Sequence, residues 1–170
     1  PDGEARMRED PLRVFCDADF GGDTTMRSTT GIVTFLNCGP ISWSSKLQKL
    51  QALSTTEAEV YAATEAIKDA ALLKVYLSDL GVRDDKPIPI HEDNSACVKM
   101  ATQNLKKFNR ARHYVQRVNF LQEHVWNKTA EMVQTPTEEE VADVMTKPLS
   151  FPLFSKFRDI LVSHVYPEHQ

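Results

Sequence analysis

Little in this 170-residue chain invites a membrane or secretory reading. It has no run of about 18 apolar residues, so no segment is expected to cross a bilayer as a helix. The first residues, Pro1-Asp2-Gly3-Glu4, are polar and lack the apolar core of a signal peptide. They also lack an initiator Met, which suggests a chain cut from something longer. Cysteine is scarce. Cys16, Cys38 and Cys97 are odd in number and widely spaced, so they form no zinc or disulfide framework and point to a reducing compartment. Six glycines and nine prolines are too few for a collagen-like or disordered chain. No phosphate-cradling glycine motif exists, because Gly21-Gly22 lacks both the spacing and the Lys. No nucleophilic triad is apparent either.

What is present suits one ordinary domain. Apolar residues make up 41% of the chain, enough for a core. The net charge of −4 argues weakly against a nucleic-acid binder, but the charge is unevenly spread. Between Asn94 and Ala130 lie seven bases (Lys99, Lys106, Lys107, Arg110, Arg112, Arg117, Lys128) against one acid, Glu123. A basic stripe inside an acidic chain can track phosphates; equally, it can be a solvated helix face.

Residues 1–11 read as a lead-in, 12–150 as the domain, and 151–170 as a terminal helix and tail. Leu12 to Cys16 reads as a strand running into Asp17. Gly31 to Asn37 reads as a second strand, Cys38-Gly39-Pro40 as a turn, and Ile41 to Ser45 as a third strand. Ser54-Thr55-Thr56-Glu57 is a capping box opening a helix to about Leu80. Pro87 to His91 is a fourth strand. A short helix starts at Asn94 or Ser95, and a longer one covers Arg110 to Trp126. Ala130 to Gln134 is a fifth strand. A second capping box, Thr137-Glu138-Glu139-Glu140, opens a helix to Lys147, which Pro148 stops. An amphipathic helix covers Phe151 to Val165. The order β-β-β-α-β-α-α-β-α-α predicts an α/β domain with a five-stranded mixed sheet. Three strands would be antiparallel, two more added in parallel by right-handed crossovers, with helices on both faces.

Four acids carry the candidate chemistry. Asp17 follows the first strand and Asp93 the fourth, so parallel neighbours would bring both to one sheet edge. Asp93 also has a plain reading as a helix cap. In the first helix the stripe through Glu59 continues to Ala62, Ala63, Ala66, Ala70, Leu73 and Leu77. It faces the sheet and aims Glu59 inward, where burial is costly without a partner. Glu57 is explained by the cap. Asp143, in the second turn of the helix from Thr137, joins only if that helix starts at the same edge; on local grounds it is an ordinary solvated acid near a helix N-terminus. Four carboxylates without a Cys or His cluster select hard cations such as Mg²⁺ or Mn²⁺ rather than Zn²⁺. Two such ions about 4 Å apart could serve phosphodiester hydrolysis. Trp43 reads as a core or sheet-packing residue, Trp126 as packing at a helix end, and Cys16 as a buried strand residue.

Several strings resemble a known family. They are Asp17-Ala18-Asp19-Phe20-Gly21-Gly22-Asp23, Arg27-Ser28-Thr29-Thr30-Gly31, Pro40-Ile41-Ser42-Trp43-Ser44-Ser45-Lys46, and Ala52-Leu53-Ser54-Thr55-Thr56-Glu57-Ala58-Glu59. Asp93-Asn94-Ser95-Ala96, Arg112-His113 and Val141-Ala142-Asp143-Val144-Met145-Thr146-Lys147-Pro148-Leu149 follow. In their order and spacing they resemble the ribonuclease H domain of copia-type LTR retrotransposon polyproteins. The resemblance implies a ribonuclease H fold and cleavage of the RNA strand of RNA·DNA hybrids during reverse transcription, beside the reverse transcriptase domain of the same polyprotein. It places the metal-binding acids at Asp17, Glu59, Asp93 and Asp143, with two Mg²⁺ ions that Mn²⁺ can replace. It puts Ser54, Thr55 and Thr56 against the hybrid, where hydroxyls meet a 2′-OH or a phosphate, with Asn94 and Ser95 as similar candidates. Lys106, Lys107, Arg110, Arg112 and Arg117 would grip the duplex backbone. The implied location is a cytoplasmic retroelement particle, or the nucleus, with no membrane partner.

Two departures stand out. No histidine lies between Gln134 and Ala142, where cellular relatives carry a mobile one. The segment Phe108 to His113 lacks the family's Lys-His form, and His113 reads as structural. The rival readings are a ribonuclease H fold that has lost activity and only binds nucleic acid or a partner, a transposase or integrase of the same fold class, and an assembly domain of a polyprotein.

Overall fold

The computed structural model describes residues 12–22, 24–37, 39–81, 86–103 and 112–162. Three strands come first: β1 (Leu12–Asp19), β2 (Thr29–Leu36) and β3 (Gly39–Leu47). They pair antiparallel in sequence order. Helix α1 (Thr55–Asp79) follows, then β4 (Ile88–Glu92), α2 (Ser95–Thr102), α3 (Arg112–Trp126), β5 (Ala130–Gln134) and α4 (Phe151–Val162). The sheet order is β3-β2-β1-β4-β5, with β4 parallel to β1 and β5 parallel to β4. This is the expected mixed sheet.

β1 is the central strand and is buried on both faces. Val14, Cys16 and Ala18 join a core with Ala58, Ala62, Ala63, Ala66 and Ala70 of α1 and with Tyr114, Val118 and Leu121 of α3. Phe15 points the other way, to Val33, Phe35, Val141, Ala142, Phe157 and Ile160. Helices therefore cover both faces, as expected. Fully burying a side chain such as Ile90 or Leu121 contributes roughly 2 kcal/mol. The alanine stripe has no bulk, so α1 lies close on the sheet and carries Glu59 in with it. Gln48 fixes the entry to this helix, its amide donating to Thr30 Oγ1 at 2.9 Å and to the Ala58 carbonyl at 3.0 Å.

Several expectations need correction. The second capping box does not open an α-helix. Thr137–Glu139 and Val141–Met145 form two short 3-10 helices, and Pro136, at the first cap, makes no side-chain cap bond. Prolines bracket the segment, and the Thr137 hydroxyl that would cap a helix donates to Asp93 instead. Asp17 lies within β1, not beyond it. Pro40 lies inside β3 beside a register shift, where an edge strand tolerates its missing N–H. Trp43 is 63% exposed on that edge strand and Trp126 51% exposed, so neither is a packed residue. The lead-in 1–11 and the tail beyond Val162 lie outside the described residues.

Candidate active site

The parallel register of β1 with β4 pairs Phe15 with His91. Two residues further on, this brings Asp17 level with Asp93. Asp17, Asp93 and Asp143 each offer an oxygen within 4.8 Å of the others, and Glu59, Glu92 and Asp93 form a second such group. Asp93 belongs to both, so the four acids read from the sequence meet at one rim of the sheet.

Each acid is held by its own element. Asp17 is buried in β1 and accepts a hydrogen bond from the Thr146 hydroxyl at Oδ2. Glu59, 5% exposed, reaches in from the first turns of α1. Asp93 stands half-buried just past β4. It is not the cap of α2. That task falls to Asn94, whose Oδ1 accepts from the Ala96 and Cys97 amides at 3.0 and 3.1 Å. Asp93 instead accepts from the Thr137 hydroxyl at 2.7 Å. Asp143, 1% exposed, sits on the five-residue 3-10 helix, so it is not the solvated side chain its local sequence suggests.

Burial dominates the electrostatics. It pushes the Glu59 carboxyl well above its ordinary range, reinforced by the charges of Glu92, Asp17 and Asp93. Asp143 is raised to about 6, first by burial, against a hydrogen bond with Lys147 that lowers it. Lys147 Nζ stands 2.7 Å from Asp143 Oδ1 and 3.6 Å from Asp17 Oδ1. Burial opposes its charge, but these acids hold it protonated beyond its usual range.

The sequence reading gives three residues of this neighbourhood no part in the site, although it places Glu140 in the second capping box. Glu92 is fully buried and raised to about 8 by burial, against a hydrogen bond from the Asn94 amide. Its Oε2 faces the Cys16 thiol at 3.6 Å. Glu140 is fully buried, pushed well up by burial and by Glu92, and its Oε1 accepts from the Ala142 amide. Lys147 is the third; its spacing of four from Asp143 was the available signal.

The donor set fits hard divalent cations. Every group offered is a carboxylate. Glu59 Oε2 and Asp143 Oδ2 are shut off from solvent and lack a hydrogen-bond partner. Buried acceptors are seldom left so, and a divalent ion would supply what they lack.

The expected nucleic-acid contacts are mixed. Ser54 caps α1, its Oγ accepting from the Glu57 amide at 3.2 Å; Thr55 is exposed and Thr56 half-buried. Asn94 caps α2 and Ser95 is exposed. Arg112 is exposed at the start of α3. Arg117 lies 3.8 Å over the Tyr61 ring and donates to Glu65 at 3.2 Å. Lys106, Lys107 and Arg110 lie outside the described residues.

No family model matches the chain. It is 35% identical over 154 residues to the retrovirus-related Pol polyprotein from transposon TNT 1-94 of Nicotiana tabacum, covering 90% of this chain and 11% of that protein. It is 34% identical over 158 residues to the corresponding polyprotein of transposon RE2 of Arabidopsis thaliana, covering 92% and 11%. The chain thus spans about a tenth of the length of these relatives. Among solved structures, LC11-RNase H1, isolated from compost, superposes with a TM-score of 0.60 at 16% identity, over 81% of this chain and 93% of that one. The N-terminal RNase H domain of a Mycobacterium tuberculosis protein superposes with a TM-score of 0.57 at 11% identity, over 87% and 96%. A foamy viral protease-reverse transcriptase in complex with RNA/DNA hybrid matches with a TM-score of 0.51 at 16% identity, over 79% and 19%. The chain has the ribonuclease H fold and is homologous, over most of its length, to a segment of the retrovirus-related Pol polyproteins of copia-type transposons.

Proposed function

We propose that this chain is an endoribonuclease that cleaves the RNA strand of RNA·DNA hybrids by two-metal-ion hydrolysis during reverse transcription of a retroelement. The observation that carries the reading is the convergence of Asp17, Asp93 and Asp143 within 4.8 Å, with Glu59 beside Asp93. Asp17 and Asp93 would be shared between two Mg²⁺ ions, or Mn²⁺ in their place, with Glu59 favouring one and Asp143 the other. Such ions, when bound, supply Lewis acidity for an attacking water and for the leaving oxygen of a phosphodiester. The products are a 3′-hydroxyl and a 5′-phosphate.

The chain's own part is to hold the acids at fixed spacing and to seat the duplex. Thr146 and Thr137 orient Asp17 and Asp93 by hydrogen bonds. The hydroxyls of Ser54, Thr55, Thr56 and Ser95 and the amide of Asn94 offer groups that can tell a 2′-OH from its absence. Arg112 and Arg117, with Lys106, Lys107 and Arg110, would meet phosphates. A relative in fold, LC11-RNase H1, is known in complex with RNA/DNA hybrid, which supports a hybrid as the substrate here. The polyprotein relatives support a reverse transcriptase domain as the neighbour and a retroelement particle, cytoplasmic or nuclear, as the setting. Among the described residues no helix is long and apolar enough to cross a membrane.

The test is cleavage of a labelled RNA·DNA hybrid beside duplex RNA and duplex DNA, with Mg²⁺ or with EDTA. Wild-type protein should cut only the hybrid, and only with the ion. Asp93→Asn should lose more than about 100-fold in rate while remaining folded. Cleavage by that variant at the wild-type rate would overturn the assignment.

A further inference from the structure

The Thr146-Lys147 pair closes the acid cluster from above. Gly31, paired with Asp17 across β1 and β2, makes room for it. A Cβ on Gly31 would lie 2.6 Å from Thr146 Cγ2 and 2.7 Å from the Ala142 carbonyl. The turn therefore rests on bare backbone. Its hydrogen bonds keep it there: the Thr146 and Lys147 amides both donate to the Asp143 carbonyl at 3.1 Å, and the Thr146 hydroxyl donates to Asp17. This geometry turns the Lys147 side chain back over Asp143. Its ammonium lies 2.7 Å from Asp143 and 3.6 Å from Asp17, on one oxygen of each.

We infer that Lys147 is a tethered counter-ion that occupies the cation position between Asp17 and Asp143 and must withdraw when a divalent ion binds there. This rests on the reading of those acids as ion ligands. An ion shared by the two would sit about 2.1 Å from an oxygen of each. An ammonium 2.7 Å from one Asp143 oxygen and 3.6 Å from one Asp17 oxygen would then lie close beside it, and two cations so close repel strongly. Meanwhile the lysine screens two acids that would otherwise repel each other in a buried setting. It thus keeps the site assembled before ion and substrate arrive, at the expense of ion affinity.

The experiment is titration of the purified chain with MgCl2 alone, without nucleic acid, by calorimetry, with thermal unfolding measured in EDTA and in Mg²⁺. Lys147→Met should unfold at a lower temperature in EDTA, bind Mg²⁺ roughly tenfold more tightly as the repulsion is removed, and gain more from added Mg²⁺ than wild type does. Lys147→Arg, which keeps a cation on the same tether, should stay near wild type in Mg²⁺ affinity. If Lys147→Met does not fold in EDTA, Lys147→Gln serves for the same comparison. Mg²⁺ binding that is unchanged or weaker in the neutral variant would overturn the inference and leave the ion site standing. Absence of Mg²⁺ binding in wild type and variant alike would overturn both.

Discussion

The hydroxyl of Thr137 donates to Oδ2 of Asp93 at 2.7 Å, tying the segment after β5 to the acid that follows β4. The same segment reaches the backbone of residue 93, because the Gln134 amide donates to the Asp93 carbonyl at 2.6 Å. Main chain and carboxylate are thus both held. The bonds are exposed, so their worth to folding is small, but they restrict the rotamer of an acid placed to serve both ion positions. Thr137→Val should therefore lower hybrid cleavage by roughly tenfold while moving the unfolding temperature little, and Thr137→Ser should restore the rate. Steady-state kinetics beside thermal melts checks this. Equal rates for Thr137→Val and wild type would remove Thr137 from the positioning network.

Thr137 also shows where sequence reading stops. Two capping-box patterns occur in this chain, and only the first opens an α-helix. At Ser54 the pattern precedes a long stretch of small and apolar residues at helical spacing, so packing on the sheet repays nucleation. That periodicity also picked out Glu59 as an inward-facing acid. At Thr137 the stretch is short and bracketed by prolines, and the hydroxyl that would cap a helix is taken by Asp93. The five strands and their topology were legible because turn signals and alternation are local. Asp143 was reached through the expected fold, not through its neighbours in sequence, which suggest a surface residue. Glu92 was missed for the same kind of reason. Its burial depends on Cys16, 76 residues away, and nothing beside it announces that contact.

His113 and Glu57 couple α3 to the loop before α1. His113 Nε2 lies 3.2 Å from Glu57 Oε1, while Glu57 Oε2 accepts from the Leu53 amide at 3.0 Å. The Glu57 amide in turn donates to Ser54. A residue on α3 thus steadies the hydroxyl row Ser54, Thr55 and Thr56 through one carboxylate. The structural reading of His113 acquires a specific content here. The pair is exposed, so its energy is modest, of the order of 0.5 kcal/mol. His113→Ala should raise KM for hybrid about twofold and leave kcat and Mg²⁺ affinity unchanged. A fall in kcat with constant KM would instead place His113 in the chemistry.

Gly31 is required by close approach and not by backbone angle. Besides Thr146 and the Ala142 carbonyl, an added Cβ would meet Met145 Cβ at 2.9 Å. The Ala142 carbonyl belongs to the backbone and Met145 Cβ sits next to it, so neither can swing away. Gly31→Ala must lift the 3-10 helix off β2 and draw Thr146 from Asp17. Overpacking of this kind costs about 1–3 kcal/mol, or several degrees in melting temperature for a domain of this size. The same displacement loosens Asp143, so Mg²⁺ affinity should fall with stability. A variant that melts like wild type would show that the turn has room to spare.

Glu65 offers a pH dependence away from the acid cluster. Burial alone would raise its carboxyl, but hydrogen bonds from Lys68 and Arg117 outweigh burial and hold it below the ordinary value. The contacts are 3.0 Å to Lys68 Nζ and 3.2 Å to Arg117 Nη1, and Arg117 is braced by the Tyr61 ring. A carboxyl lowered by folding binds fewer protons folded than unfolded. Its contribution is therefore complete above the unfolded value, near 4.5, and is lost as pH falls through the lower folded value. The Glu65 side chain is 35% exposed, so solvent screens the effect and it is small. Glu65→Gln should lower the melting temperature slightly at pH 7, and the gap to wild type should close as pH falls through the lowered value of the folded carboxyl. High salt should shrink the gap at pH 7 as well. A difference between the two proteins that persists unchanged at pH 3 would mean that packing, not charge, is what Glu65 contributes to the α1–α3 seam.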